Sequence, residues 1–266
     1  MIDVKEIYCK TALSKSGIYG IDYSINPYVG CQHNCSYCFA RYMSKYRQNF
    51  KQWGSFVDVK INIHEVLKKE IEKIKPGTVL ISSVTDPYQP IEKKYELTRR
   101  VLEMLPKNKF KIFILTKSSL VLRDMDLLNE CDVGFTIITT DESIRKIFEP
   151  NASPIYERIR ALHELKANEI STYVMIGPIL PFITEKGLDE LISKIANAGV
   201  DRILIDRLNI KAGNWQTIKE SLNKIDSNLI SKYQKILFSE NNYFESIKEK
   251  IKVICQESGI EYHFCY

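Results

Sequence analysis

The sequence predicts an α/β fold whose parallel sheet closes toward a β/α barrel. Three observations point to it. From residue 58 onward, stretches of helical period alternate with short apolar runs. Those runs are continuous rather than alternating, as in strands covered on both faces. Nearly every run stops in polar or special residues, as happens when the C-terminal ends of barrel strands converge on one site. An open doubly wound sheet would gather such residues only at its switch point.

The elements follow in order. "HEVLKKEIEKI" (64–74) sets Val66, Leu67, Ile71 and Ile74 on one helical face. "PG" breaks it, and "TVLISS" (78–83) reads as a buried strand. Helix then strand repeats four times: 97–105 and 110–116, 120–130 and 133–139, 155–167 and 171–177, 188–198 and 202–206. A last helix over 244–257 carries Phe244, Ile247, Ile251 and Ile254. The strand ends are Ser82-Ser83, Thr116-Lys117-Ser118, Thr139-Thr140-Asp141, Gly177-Pro178 and Arg207-Leu208-Asn209. "FARYMSKYRQNFKQW" spaces Phe39, Tyr42, Tyr46, Phe50 and Trp53 as one face of a helix, with Arg41, Lys45, Arg47 and Lys51 on its other sides.

With 266 residues and an apolar fraction of 44%, the chain can bury a substantial core. It shows no internal repeat, low-complexity tract or Gly/Ser linker, so one domain is expected over 1–266. The net charge of +5 is concentrated: residues 41–75 hold nine Lys or Arg against four Asp or Glu. Such a segment can attract a polyanion, and it can equally be a solvated helix face. "MIDVKEIYCK" lacks the apolar centre of a signal peptide, and no apolar run reaches membrane-spanning length. Seven cysteines, an odd number, do not make a disulfide framework, so a reducing cytoplasmic setting is expected.

The chemistry concentrates in "GCQHNCSYCFAR" (30–41), which places Cys31, Cys35 and Cys38 within eight residues. A zinc site would need a fourth protein ligand. His33 lies inside the motif, but four ligands in eight residues crowd one tetrahedral ion, and the chain has no second CxxC. A [4Fe–4S] cluster held by three cysteines keeps one iron open for a substrate or cofactor. Cys9, Cys131, Cys255 and Cys265 are scattered, and His64, His163 and His263 show no ligand spacing.

The C-x3-C-x2-C spacing, with Tyr37 before the last cysteine, resembles the radical S-adenosylmethionine (SAM) signature. "NPYVGCQHNCSYCFAR", "SSVTDPYQPIE", "LTRRVLEML", "ILTKSSLVLRDMDLL" and "FEPNASPIYERIRALHEL" extend the likeness over residues 20–210. In order, they resemble the spore photoproduct lyase-like family, also called DNA repair photolyase-like. The resemblance implies a partial (β/α)6 TIM-type barrel of the radical SAM core. A helical and strand cap would follow that core at the C-terminal end, and an extension would precede it. It also implies a cluster on Cys31, Cys35 and Cys38, with SAM chelating the open iron. Reductive cleavage of SAM to a 5′-deoxyadenosyl radical would then start hydrogen abstraction from a substrate.

Roles for further residues follow from that resemblance. Tyr37 would contact adenine, with Gly177 and Pro178 as its platform. Ser82, Ser83, Thr85 and Asp86 would face the SAM ammonium, although Asp86 before Pro87 is also what a turn requires. Lys117 would meet the SAM carboxylate, and Arg158 is a second candidate cation. Thr139 and Thr140 would fall near the ribose or methionine. The photoproduct lyases carry a cysteine hydrogen donor in the segment matching "ISSVTDPYQP", and this chain has none there. That places it in the family's generic branch. The implied partners are an electron donor such as flavodoxin or ferredoxin and a nucleic acid or nucleotide substrate. A peptide or small-metabolite substrate, and a non-enzymatic zinc- or cluster-binding module, are the alternatives.

Overall fold

Strands that are apolar on both faces must be covered on both, and a mostly parallel sheet with helical returns achieves this. The computed structural model describes residues 2–46, 51–106, 109–211 and 213–266. Among them the strands are β1 (Asp3–Ile7), β2 (Leu13–Lys15), β3 (Tyr23–Ile25), β4 (Tyr28–Val29), β5 (Phe56–Lys60), β6 (Gly77–Ile81), β7 (Phe110–Thr116), β8 (Cys131–Thr136), β9 (Ser171–Ile179), β10 (Arg202–Arg207) and β11 (Glu261–Phe264). Eight form one sheet in the order β11-β10-β9-β8-β7-β6-β3-β2. All pairings from β3 through β11 are parallel, and β2 lies antiparallel on β3. β1, β5 and β4 make a separate small sheet.

The helices are α1 (Ile63–Ile71), α2 (Glu92–Tyr95), α3 (Leu97–Met104), α4 (Glu142–Phe148), α5 (Ile155–Ala167), α6 (Leu188–Asn197), α7 (Asn214–Asn223), α8 (Asn228–Phe238) and α9 (Tyr243–Glu257). Leu67, Val101, Leu162, Leu191 and Ile251, from five of these helices, share one core with the strands. The six parallel strands β3 and β6–β10 are the expected partial (β/α)6 arrangement, and β11 adds a seventh. A second apolar cluster sets Cys35 and Tyr37 against Ile218, Leu222 and Tyr233 of α7 and α8. The C-terminal helices therefore back the cysteine loop. No helix among the described residues is long and apolar enough to cross a membrane.

Three expectations change. The helix over 120–130 is a 3-10 helix, Ser119–Leu127, broken at Asp124. Buried Asp124 draws Arg99 and Arg123 inward at 3.2 and 2.7 Å, and regular helix yields to that pairing. The helix over 39–53 is a 3-10 helix from Phe39 to Tyr46. Trp53 lies outside it, buried edge-on against Phe56, while Phe39 is 48% exposed. Arg47 and Phe50 lie outside the described residues. The strand expected over 133–139 stops at Thr136.

Every residue of β8 is buried, and Gly134 within it gives room to a neighbour. A Cβ there would lie 2.3 Å from the Tyr173 ring, whose hydroxyl donates to the Ile114 carbonyl at 3.0 Å. Gly134→Ala overpacks this contact and is expected to cost about 1–3 kcal/mol. Denaturant unfolding should show a lower midpoint at unchanged slope.

Candidate functional site

The C-terminal ends of the parallel strands open onto a cavity of about 390 Å³. The strands β3 and β6–β10 each deliver something to it. β3 leads into the cysteine loop, β6 into Ser82, Ser83, Thr85 and Asp86, and β7 into Lys117. β9 brings Gly177 and Pro178, and β10 brings Asp206 and Arg207. Cys31, Cys35, Cys38 and Tyr37 line the same cavity.

All three cysteines are free thiols, two buried and Cys38 half-buried. Burial pushes Cys31 well above the usual thiol range and Cys35 up to about 12. Cys38 is raised by the same cause. Thiols raised in this way are protonated at neutral pH, and a metal that bound them would have to displace those protons.

A loop that is neither helix nor strand leaves its carbonyls to be satisfied from outside. The surrounding elements supply side-chain donors along its length. Thr85 Oγ1 and Gln89 Nε2 donate to the Gly30 carbonyl at 2.6 and 3.3 Å. Asn151 Nδ2 donates to the Gln32 carbonyl at 2.8 Å, and Arg41 to that of Cys35 at 2.9 Å. Thr217 and Asn214 of α7 donate to the Ser36 and Tyr37 carbonyls at 2.6 and 3.1 Å. Gly30 has φ +91°, and a Cβ there would meet the Phe56 carbonyl oxygen at 2.4 Å. Only glycine fits that close approach.

Asp86 ties the loop to the strand ends. Its carboxylate accepts from the Thr116 hydroxyl at 2.6 Å and from the Tyr88 and Lys117 backbone N–H groups at 2.9 Å. His33 Nδ1 stands 3.2 Å from it. Burial opposes its ionisation. Even so, His33, the Lys117 ammonium and the Thr116 hydroxyl hold the carboxyl well below the usual carboxylate range. Asp86 thus aims Lys117 rather than presenting open acceptors. The Lys117 ammonium stands 5.9 Å from the centre of the Tyr37 ring and has no carboxylate ion-pair partner among the described residues. The Ser83 hydroxyl accepts from Asn26 at 3.2 Å, whereas the buried Ser82 Oγ has no hydrogen-bond partner.

Three expected contacts lie elsewhere. Thr139 Oγ1 accepts from the Asp141 N–H at 3.1 Å, and Thr140 Oγ1 donates to Glu190 at 2.9 Å. Because β8 ends early, both threonines fall in the turn before α4 and off the cavity wall, where Thr136 stands instead. Arg158 is fully buried behind the wall, paired with Glu149 at 2.6 Å. The sequence reading passed over Asp206 and Lys211, which line the cavity, and Gln89, Asn151 and Glu149, which hold the loop. The strand-end rule could have found Asp206. Gln89, Glu149 and Asn151 fall inside the segments that carry the family resemblance, but no spacing there points to the loop, and nothing local marks Lys211.

The donor set fits an iron–sulfur cluster. Three thiols share one cavity with the unpartnered Ser82 Oγ. Among the described residues no three His, Cys, Asp or Glu side chains are grouped to hold a single metal ion. Thiolates are the ligands that hold such clusters.

A parallel β/α sheet that carries three cysteines to its C-terminal face defines a cluster-binding enzyme of the partial-barrel class. The chain belongs to the radical SAM superfamily, whose family profile matches residues 25–195. An uncharacterised protein of Methanocaldococcus jannaschii is 42% identical over 183 residues, covering 68% of this chain and 69% of that protein. A "Radical SAM Nalpha-GlyT isomerase" of Pseudomonas phage M6 is 24% identical over 185 residues, 67% of this chain and 38% of that one. A solved structure, a spore photoproduct lyase mutant "with bound AdoMet and dinucleoside spore photoproduct", superposes with a TM-score of 0.74 at 15% identity. It covers 99% of this chain and 82% of that one. The cofactors of the superfamily are a [4Fe–4S] cluster and SAM, so the chain is an enzyme of radical chemistry.

Because the folded pKa of Asp86 is depressed, its ionisation favours the native state above the unfolded value, about 3.9, and that contribution fades as pH falls below it. Asp86→Asn should be less stable than the parent at pH 7, by about 1.5–3 kcal/mol for hydrogen bonds to a charged group. The gap should narrow below about pH 4, as read by denaturant unfolding across pH.

Proposed function

We propose that the chain, working as one catalytic unit in the cytoplasm, is a radical SAM enzyme whose substrate is a nucleic acid or nucleotide. The observation that carries this reading is a single cavity with the cysteine thiols, Lys117, Arg207 and Lys211 all on its wall. When bound, the cluster and SAM supply one-electron cleavage of the sulfonium and hydrogen-atom abstraction.

In this reading Cys31, Cys35 and Cys38 hold the cluster, and the motif supplies no fourth thiol. Lys117 holds the SAM carboxylate by a charge-assisted bond. Its charge is well secured: burial would lower its pKa, yet the neighbouring carboxylates of Glu149 and Asp86 help to leave it raised. Ser82 offers its unpartnered hydroxyl to the SAM ammonium, while Ser83 and Thr85 shape the same loop. Tyr37 and the Gly177-Pro178 segment flank the adenine. The electron donor would be a small redox protein of the flavodoxin or ferredoxin kind.

Arg207 and Lys211 support the substrate class, because both are cations at the cavity's exposed side. Arg207 stacks on Tyr266 at 5.6 Å, which steadies a guanidinium for phosphate contact. The photoproduct lyase of like fold is described with dinucleoside spore photoproduct bound. The basic stretch after the cysteines adds less. Arg41 is committed to the loop, and Lys51 pairs with Asp3.

The anaerobic test is reconstitution with iron and sulfide, then SAM and dithionite, with 5′-deoxyadenosine as the readout. The parent should form it and Cys35→Ala should not. A parent with a full cluster, a strong reductant and an oligonucleotide panel that still yields none would sink the reading. Lys117→Ala should raise the apparent SAM constant about ten- to a hundred-fold, the value of a charged hydrogen bond. Oligonucleotide affinity should fall steeply with salt. A flat response would favour a peptide or small metabolite.

A further inference from the structure

The buried pair Glu149–Arg158 sits behind the cavity wall, away from the SAM contact expected of Arg158. Both side chains are completely shielded from solvent. Burying two charges costs several kcal/mol each, and apolar residues of like size often serve stability as well or better. The pair therefore calls for a purpose that apolar residues could not meet.

Its connections supply one. Glu149 accepts a hydrogen bond from the Tyr37 hydroxyl, between the second and third cysteines in the wall. The segment around it is a brace. The Phe148 carbonyl accepts from the Ser36 N–H at 2.9 Å, Asn151 Nδ2 donates to the Gln32 carbonyl at 2.8 Å, and the Ser153 N–H donates to the Lys117 carbonyl at 3.0 Å. Arg158 fastens that brace to the sheet. Its Nε donates to the Ser153 carbonyl and its Nη1 to the Thr136 carbonyl at the end of β8, each at 2.8 Å. One guanidinium thus joins β8, the brace and, through Glu149, the cysteine loop.

The charges also balance. Lys117 and Arg158 are the cations beside Cys35, and Glu149 is the anion that faces both. Burial opposes its ionisation, and Arg158 and Lys117 overcome that. An apolar or neutral residue at 149 would leave the buried Arg158 without its anion, while Lys117 keeps Asp86.

We propose that Glu149 and Arg158 are positioning residues that hold the cysteine loop through Tyr37, and that Glu149 also counters the positive charge at the cluster and so keeps its reduction potential low. The inference rests on Cys31, Cys35 and Cys38 being the cluster ligands. Tyr37→Phe removes one hydroxyl and keeps the ring. Glu149→Gln keeps the shape and removes the charge. The double variant Glu149→Gln, Arg158→Gln removes one charge of each sign.

The test measures iron and sulfide content, the rate of cluster loss to a chelator, and the midpoint potential by anaerobic titration, with circular dichroism as the check on folding. Tyr37→Phe should lose its cluster about tenfold faster, the equivalent of one hydrogen bond to a charged group. Glu149→Gln should take up a cluster whose potential lies above that of the parent, because reduction adds negative charge beside an uncompensated cation. The double variant should return toward the parent potential. If Glu149→Gln does not fold, Tyr37→Phe decides the positioning role alone. Parent-like cluster loss in Tyr37→Phe, or a parent-like potential in a fully loaded Glu149→Gln, overturns the proposal. A parent that takes up no iron and sulfide would instead overturn the ligand assignment, and the inference with it.

Discussion

A loop that must present three ligands toward one point cannot also run as helix or strand. It gives up the hydrogen bonds that regular structure would provide, and buried carbonyls without partners are costly. The rest of this architecture answers that constraint. Gln89 and Thr85 come from the loop after β6, Asn151 from the segment after α4, and Asn214 and Thr217 from α7. Their donors reach carbonyls at four of the eight positions from Gly30 to Tyr37. The cysteines owe their common cavity to these side-chain donors.

Electrostatics adds a second layer. Four charged side chains stand close behind the cavity: Asp86, Lys117, Glu149 and Arg158. Each carboxylate stays ionised despite burial because cations face it. In a medium of low polarity these interactions are strong and poorly screened by salt. Asp86 fixes the backbone from which Lys117 projects, while the Lys117 ammonium itself is left with an aromatic face for company. Restraining a cation without neutralising it is how a protein keeps one for an anionic guest.

Much of this was legible in the sequence, and the limits have physical causes. The five long strands from 78 to 206 are continuous apolar runs, so period and composition mark them directly. Strand β3 is only three residues long, and β4 only two; runs that short carry no period. The cysteine triplet, Lys117 and the Ser82–Asp86 loop stand at strand ends, where topology alone brings them together. Thr139 and Thr140 stand off the wall because β8 ends at Thr136, and a boundary shift of a few residues moves a side chain away from it. The pairing of Arg158 with Glu149 is not legible in the sequence, because Glu149 is nine residues away outside the helix and shows no spacing that points back. Gln89 and Asn151 act only through the folded structure, and their residue types carry no signature.

The supports of the cysteine loop have one more implication, which concerns timing. The bonds from Asn214 to Tyr37 and from Thr217 to Ser36 span 177 and 181 residues. Contacts so distant in the chain form late, after the loops between them have closed. While the polypeptide is still collapsing, the three thiols have no shared geometry to offer. A zinc finger gathers around its ion, and there the metal is the nucleus of folding. Here the cysteine loop takes its shape from parts of the fold that lie far away in the chain, with no ion needed as its nucleus.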